Sequence, residues 1–385
     1  MAEIGLVGAP SGGKSTFFKA CTLKDVKIAP YPFTTLEPNE GLAYVTAGCQ
    51  CLNAKTGAGG ASHPCGKCLS GTRFVPIKLW DVAGLVPGAH LGRGRGNAFL
   101  SDVMKSDALI HVLDISGSVD YEGNPASGFD PMRTVEMLEQ EVDFWLLSLL
   151  KKDWKLVESS KDASSVIEKR LSGIGIRRHD IDSSVRGSPK SWNEDDMLDF
   201  VSSLRRKSKP ILIAGNKYDR KGSEENAERI GKTREVVHVS AEIELALREA
   251  AKEGILEYIP GNASFRMLKQ AGERQETALG FMKKYLVENG NTGVQQCLNK
   301  IVFDVLGMNV VYPVEDEKRW ANKKGEVLPD AFLMRKNSTA LDLAYRVHED
   351  IGKKFISAVS AKTGRSIAAD YVLQNGDVIS IKAGR

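Results

Sequence analysis

Gly8-Ala9-Pro10-Ser11-Gly12-Gly13-Lys14-Ser15 reads G-x-x-x-x-G-K-S, directly behind the apolar run Ile4-Gly5-Leu6-Val7 and ahead of Thr16-Phe17-Phe18-Lys19-Ala20. Strand, glycine-rich turn and helix in that order make a phosphate-binding loop. Gly8, Ser11, Gly12 and Gly13 let backbone N–H groups turn inward on phosphate oxygens. Lys14 reaches the β- and γ-phosphates as a point charge, and the Ser15 hydroxyl is a Mg²⁺ ligand. Thr16 lies in the first turn of the helix, whose dipole favours the same anion.

Two further motifs stand at the ends of apolar strands. Phe74-Val75-Pro76-Ile77-Lys78-Leu79-Trp80 runs into Asp81-Val82-Ala83-Gly84, a D-x-x-G in which Asp81 serves Mg²⁺ and the Gly84 N–H senses a γ-phosphate. Pro210-Ile211-Leu212-Ile213-Ala214-Gly215 delivers Asn216-Lys217-Tyr218-Asp219, an N-K-x-D. An Asp219 carboxylate accepts both the N1–H and the exocyclic amine of guanine, and adenine offers no such pair, so the motif selects GTP over ATP. Asn216 is expected to brace this loop against the phosphate loop, and Lys217 to lie along the ring. After Glu235-Val236-Val237-His238-Val239 come Ser240 and Ala241, whose N–H is placed to meet guanine O6.

The proline-studded segment Ala29 to Asn39 is a loop. Thr35, with Thr34 in reserve, is the residue expected to close over Mg²⁺ and the γ-phosphate. Position 85, where small GTPases usually carry a water-orienting Gln, is an apolar Leu85, so unaided hydrolysis should be slow. His90 is the catalytic candidate beside it; Arg93 and Arg95 share the same glycine-rich loop. The buried-strand pattern of Asp107 to Asp114 encloses His111, read as a satisfied core histidine rather than a catalyst.

The composition is globular: of 385 residues 42% are hydrophobic and 26% charged, with a net charge of +4. That balance excludes a disordered or strongly polyanion-seeking chain, while a mild basic excess permits RNA contact. No apolar run approaches the roughly 20 residues that cross a bilayer, nor does the start read as a signal peptide, so a cytoplasmic protein with no membrane role is expected. Four of the six cysteines crowd into Cys49-x-Cys51 and Cys65-x-x-Cys68, in a segment too poor in apolar side chains to pack. Four thiolates around a structural Zn²⁺ would supply what a core cannot, with His63 able to replace one of them.

The expected organisation is an α/β phosphate-loop GTPase domain at 1–116 and 206–260, carrying the cysteine-rich insertion 48–71. A helical insertion fills 117–205, on the apolar seam Val135, Leu138, Val142, Trp145 and Leu149. Its basic residues Arg170, Arg177, Arg178, Arg186, Arg205 and Arg206 are read as a solvated face, with RNA contact the alternative. A helical linker at 261–307 leads to a small α+β module at 308–385. There strands at Val310–Val314 and Phe332–Met334, a helix from Ser338 through Phe355 and strands around Tyr371–Leu373 and Asp377–Ile381 are expected.

The phosphate loop, Tyr31-Pro32-Phe33-Thr34-Thr35-Leu36-Glu37-Pro38-Asn39, the stretch Asp81 to Gly96 and the closing module together resemble the Obg-related GTPases, most closely the YchF branch in its archaeal form. The resemblance implies a C-terminal TGS domain of β-grasp fold, an apolar residue at the Leu85 position, and association with ribosomes or RNA. It departs at Ser11, where family loops usually carry the Asn linked to potassium-assisted hydrolysis. Bacterial and eukaryotic members often have a degraded base motif and accept ATP, whereas this chain keeps Asn216, Lys217 and Asp219. The cysteine insertion is not a general family feature. The expected function is therefore a monomeric, Mg²⁺-dependent GTPase switch that cycles between GTP and GDP. The alternatives are an RNA- or ribosome-binding protein whose nucleotide site is structural, and an ATP-accepting hydrolase.

Overall fold

In the computed structural model, which describes residues 1–22, 40–52, 65–81, 87–91, 100, 103–270 and 272–384, the apolar run ahead of the phosphate loop is β1 (Glu3–Val7), and the loop runs into α1 (Lys14–Thr22). β2 (Glu40–Gly48), β3 (Cys68–Leu69), β4 (Thr72–Asp81), β5 (Ala108–Asp114), β6 (Ile211–Asn216) and β7 (Val236–His238) complete the larger sheet. Its order is β2-β4-β1-β5-β6-β7, with β3 against β4. All seven residues of β5 are buried, as a central parallel strand covered on both faces must be. β2 alternates buried and half-buried positions and runs antiparallel to β4 at the edge.

Strand register sets up the site. β1 pairs in parallel with β4, Leu6 opposite Asp81, and with β5, Val7 opposite His111; β5 pairs with β6, Asp114 opposite Asn216. The loops that follow these strands therefore open at one edge of the sheet, where ligands of open α/β folds bind.

Between β5 and β6 lies a helical layer: α2 (Met132–Lys151), α3 (Trp154–Ser159), α4 (Ala163–Leu171), α5 (Arg178–Asp182) and α6 (Glu194–Ser208). Val135, Leu138, Val142 and Trp145 of α2 are buried, and Phe200, Val201 and Leu204 of α6 are buried in the same layer. Arg205 is a correction to the sequence reading. It lies on neither a solvated face nor an RNA face, because its side chain is 3% exposed and its Nε donates to Asp143 Oδ1 at 2.6 Å.

After β6 the chain forms α7 (Ser223–Gly231) and α8 (Ala241–Lys252). A short hairpin of β8 (Leu256–Glu257) and β9 (Arg266–Met267) then interrupts a stretch that reads as wholly helical. α9 (Glu273–Asn289) and α10 (Val294–Asn299) follow, α10 running on as a wider turn over Lys300–Val305. α10 is tied to β2: Gln295 Nε2 donates to Tyr44 O at 2.9 Å, and the Thr46 N–H donates to Asn299 Oδ1 at 2.8 Å.

The C-terminal module is a mixed sheet in the order β11-β10-β14-β12-β13, built from β10 (Asn309–Val314), β11 (Phe332–Met334), β12 (Phe355–Ser360), β13 (Arg365–Ile367) and β14 (Val378–Ala383). α11 (Ala340–Val347) and α12 (Glu349–Lys353) replace the single helix expected through Phe355. His348 takes an extended conformation, and its Nδ1 accepts the Asp350 N–H, so it ends one helix and caps the next. Phe355 then opens β12, which pairs with β14. Tyr371–Leu373 forms no strand, only a bridge from Val372 to Thr339.

One apolar cluster joins the two sheets, running from Ile4, Ile77 and Leu79 through Cys297 and Ile301 to Tyr312, Trp320 and Val378. Arg335 adds an ion pair with Asp107 at 2.6 Å. Among the described residues no helix is long and apolar enough to cross a membrane.

Candidate nucleotide-binding site

Steric necessity explains the glycines of the loop after β1. Gly8 has φ +148° and a Cβ there would lie 2.4 Å from Val112 O; Gly13 has φ +95° and a Cβ there would lie 2.2 Å from Asn216 Nδ2. No other side chain fits either place. Ser11 is also left-handed, at φ 59°. Lys14, Ser15 and Thr16 form the first turn of α1. Lys14 is 8% exposed, and its Nζ makes two long contacts, 3.3 Å to Gly8 O and 3.4 Å to Ala9 O. Burial lowers its ammonium pKa, an effect that the Asp81 carboxylate opposes. Burial raises the Asp81 carboxyl in turn, with Lys14 pulling it back. Ser15 and Asp81 offer a hydroxyl and a carboxylate, the hard oxygen donors that suit Mg²⁺, beside a cradle that glycine keeps open.

The base-side loop is knitted to this cradle. Asn216 Nδ2 donates to Gly12 O at 3.0 Å, and its Oδ1 accepts the Ala241 N–H at 3.0 Å, so one side chain joins three loops. Ala241 was expected to offer that N–H to guanine O6; here it closes the brace instead. Ser240 caps α8, its Oγ accepting the Ile243 N–H at 3.4 Å. Lys217 has φ 62° and its Nζ donates to Asp114 Oδ2 at 2.9 Å and Ser118 Oγ at 3.5 Å. Sequence reasoning missed Asp114, although it ends β5 level with Asn216 and so stands where the rim needs an anion. Its other oxygen accepts from the Ser116 N–H at 3.1 Å and the Ser116 hydroxyl at 2.6 Å. Burial alone would raise its carboxyl; Lys217 and the two serines overcome that and hold it below the usual range. Asp219 lines an open cleft of about 790 Å³ with Tyr218, Ser223, Phe281, Lys284 and Tyr285, so α9 supplies one wall.

His90 is held by a residue the sequence did not suggest. Glu141 of α2 accepts the N–H groups of Gly88 at 2.7 Å and His90 at 3.0 Å, and its Oε2 lies 2.7 Å from His90 Nδ1. Burial would raise the Glu141 carboxyl, but these donors hold it below its ordinary value. A carboxylate on Nδ1 orients the ring and favours the Nδ1–H tautomer, leaving Nε2 basic. His111 departs from its reading as a satisfied core histidine: it is fully buried and, among the described residues, neither ring nitrogen has a partner. Burial, then the nearby Lys14, push its pKa down to about 3, so the ring is neutral. Thr35 with its reserve Thr34, Gly84, Leu85, Arg93, Arg95 and His63 lie outside the described residues.

Cys49, Cys51, Cys65 and Cys68 converge at the far end of β2 and β4, with all four sulfurs within 4.8 Å of one another. This cluster could hold a metal ion.

Residues 3–152 match a family model described as a 50S ribosome-binding GTPase. Residues 214–316 match the G4 motif-containing domain of an Obg-like GTPase, YGR210-like, and residues 323–383 match the TGS domain. The chain is 45% identical to an uncharacterized GTP-binding protein of Methanocaldococcus jannaschii, over 99% of each. It is 26% identical to the ribosome-binding ATPase YchF of Bacillus subtilis, over 98% of each. Among solved structures, a GTP binding protein from Pyrococcus horikoshii superposes with a TM-score of 0.75 at 35% identity, covering 99% of this chain and 100% of that one.

Proposed function

The chain belongs to the Obg-like, YchF-type GTPases, and from that premise we propose that it binds GTP with Mg²⁺ and hydrolyses it to GDP and phosphate as a ribosome-associated switch. The observation that carries this reading is the Asn216 brace, which puts the guanine-selecting loop against the phosphate loop at hydrogen-bond distance. One nucleotide can then reach both Lys14 and Asp219.

In this reading the N–H groups of the Gly8 to Ser15 loop bind the phosphates, and Lys14 trades its two long carbonyl contacts for phosphate oxygens. Ser15 and Asp81, with Thr35, are the residues that would hold Mg²⁺, and the ion would supply neutralisation of phosphate charge. Asp219 accepts the two guanine donors, and Lys217, fixed by Asp114, stiffens the loop that carries it. A water oxygen attacks the γ-phosphorus, the bond to the β-phosphate bridging oxygen breaks, and GDP leaves with that electron pair while the water's extra proton passes to an oxygen of the released phosphate. His90, oriented by Glu141, presents Nε2 as the group that positions the water. Thr35 and Gly84 report the γ-phosphate, and the Glu141 contact hands the state of that loop to α2.

The partner follows from the relative named a ribosome-binding ATPase and the model described as a 50S ribosome-binding GTPase. The test is single-turnover GTP hydrolysis by wild type and His90→Ala, with and without ribosomes. Ribosome-stimulated hydrolysis that His90→Ala slows supports the reading. No stimulation, with ribosome affinity independent of nucleotide, would leave a binding protein with a structural nucleotide site.

A further inference from the structure

The cysteine cluster lies outside the nucleotide chemistry, at the opposite end of β2 and β4. Cys49 Sγ is 3.6 Å from Cys65 Sγ, and Cys51 Sγ is 3.7 Å from Cys68 Sγ. Four sulfurs set tetrahedrally at about 2.3 Å from a zinc ion stand about 3.8 Å apart along each edge. Both pairs are therefore at the spacing of a tetrathiolate site. The Cys51 N–H points at Cys49 Sγ and the Lys67 N–H at Cys65 Sγ, so amide donors face the sulfurs that would carry charge. Gly66, at φ 63°, turns the Cys65–Cys68 backbone around the centre.

We propose that Cys49, Cys51, Cys65 and Cys68 bind one Zn²⁺, and that this site is a clasp by which the nucleotide-binding sheet holds the C-terminal module. Cys49 and Cys65 are 2% and 7% exposed and belong to the same buried cluster as Tyr312, Trp320 and Val378 of that module. Gln50, between two ligands, packs on the turn before β14: a Cβ at Gly376 would lie 2.8 Å from its Nε2. Cys68 pairs with Arg73 across β3 and β4, and Arg73 Nη2 reaches the module, donating to Pro329 O at 3.2 Å while the guanidinium sits 6.0 Å from the centre of the Tyr312 ring. Each half of the site thus positions one attachment. Zinc is the ion that takes four thiolates tetrahedrally without redox chemistry, and its binding adds folding energy to the contacts these residues make.

The test uses the full chain purified without chelator. Elemental analysis should find one zinc per chain, and cobalt substitution should give the absorption of a tetrahedral thiolate centre. Removing zinc should raise hydrogen exchange in β10, β14 and the Gln374–Asp377 turn, reversibly on adding zinc back, while α1 is unchanged. Cys51→Ser and Cys68→Ser should weaken zinc binding at least about tenfold, the lower bound for groups that merely support a metal ligand. Should these variants not fold, chelation of the wild type still decides. Absence of metal, stoichiometric iron, or two disulfides between Cys49 and Cys65 and between Cys51 and Cys68 overturns the site. Zinc whose removal leaves exchange in the module unchanged overturns the clasp.

Discussion

Asp114 at the nucleotide rim and Asp143 in the helical layer are almost equally buried, 5% and 6% exposed, and each faces one cation, yet their carboxyls shift in opposite directions. Burial is the largest influence on both and opposes ionisation. Asp114 overcomes it with Lys217, Ser116 and Ser118; Asp143, with Arg205 and Ser202 donating but the like charge of Glu139 nearby, does not. The balance of burial, donors and neighbouring like charge, not the presence of a counter-ion alone, decides the sign. The same contrast runs through the two regions. In the helical layer Arg205 is locked at 2.6 Å, while at the rim, among the described residues, Lys14 holds contacts of 3.3 and 3.4 Å and His111 has none. A ligand's phosphates can complete the set of Lys14, whereas the Arg205 pair is already made and serves the fold.

Substitutions should separate the two regions, beginning with the largest effect. Arg205→Met leaves Asp143 buried without its counter-ion and should cost about 3–5 kcal/mol in urea unfolding, with GTP affinity unchanged. Adding Asp143→Leu should restore most of the loss; a single-variant cost below about 1 kcal/mol would erase the distinction. Lys14→Ala should do the reverse, lowering the hydrolysis rate about 10²–10³-fold while unliganded stability moves by less than about 1 kcal/mol. Lys217→Met should cost about 1.5–3 kcal/mol near neutral pH. Because the folded-state pKa of Asp114 is depressed, its contribution is full above the unfolded value of about 3.9 and fades as pH falls through the lower folded value. Unfolding curves of wild type and Lys217→Met should therefore converge in acid, and a gap constant with pH would deny the pairing. Glu141→Gln should have the smallest effect, slowing single turnover about tenfold, below the ~10²–10⁴ of a working general base. If His90→Ala and Glu141→Gln both hydrolyse at the wild-type rate, His90 leaves the chemistry.

What could be read in advance was local in the chain. The phosphate loop, Asp81 and Asn216 announce themselves because each follows its own apolar strand, and parallel pairing then carries those strand ends to one edge. Partners distant in the chain gave no such sign: Asp114 lies 103 residues from Lys217, and Glu141 lies 51 from His90. Arg205 did leave a trace. It sits four residues after Val201 and next to Leu204, on the buried stripe of α6, a spacing that outweighs its charge. In the C-terminal module a strong helical pattern masks the break at His348 and carries the expected helix one residue into β12, whose alternation Phe355-Ile356-Ser357-Ala358-Val359-Ser360 is short and stands without a turn signal before it.

The central claim is that the braced Asn216–Asp219 loop reads guanine on a nucleotide whose phosphates lie against Lys14, although a relative over nearly the whole chain is named an ATPase. Equilibrium binding of GTP and ATP to wild type and Asp219→Ala measures it most directly. The account predicts that wild type prefers GTP by at least about a hundredfold and that Asp219→Ala loses the preference with ATP affinity little changed. Equal affinity of the wild type for both nucleotides would contradict it.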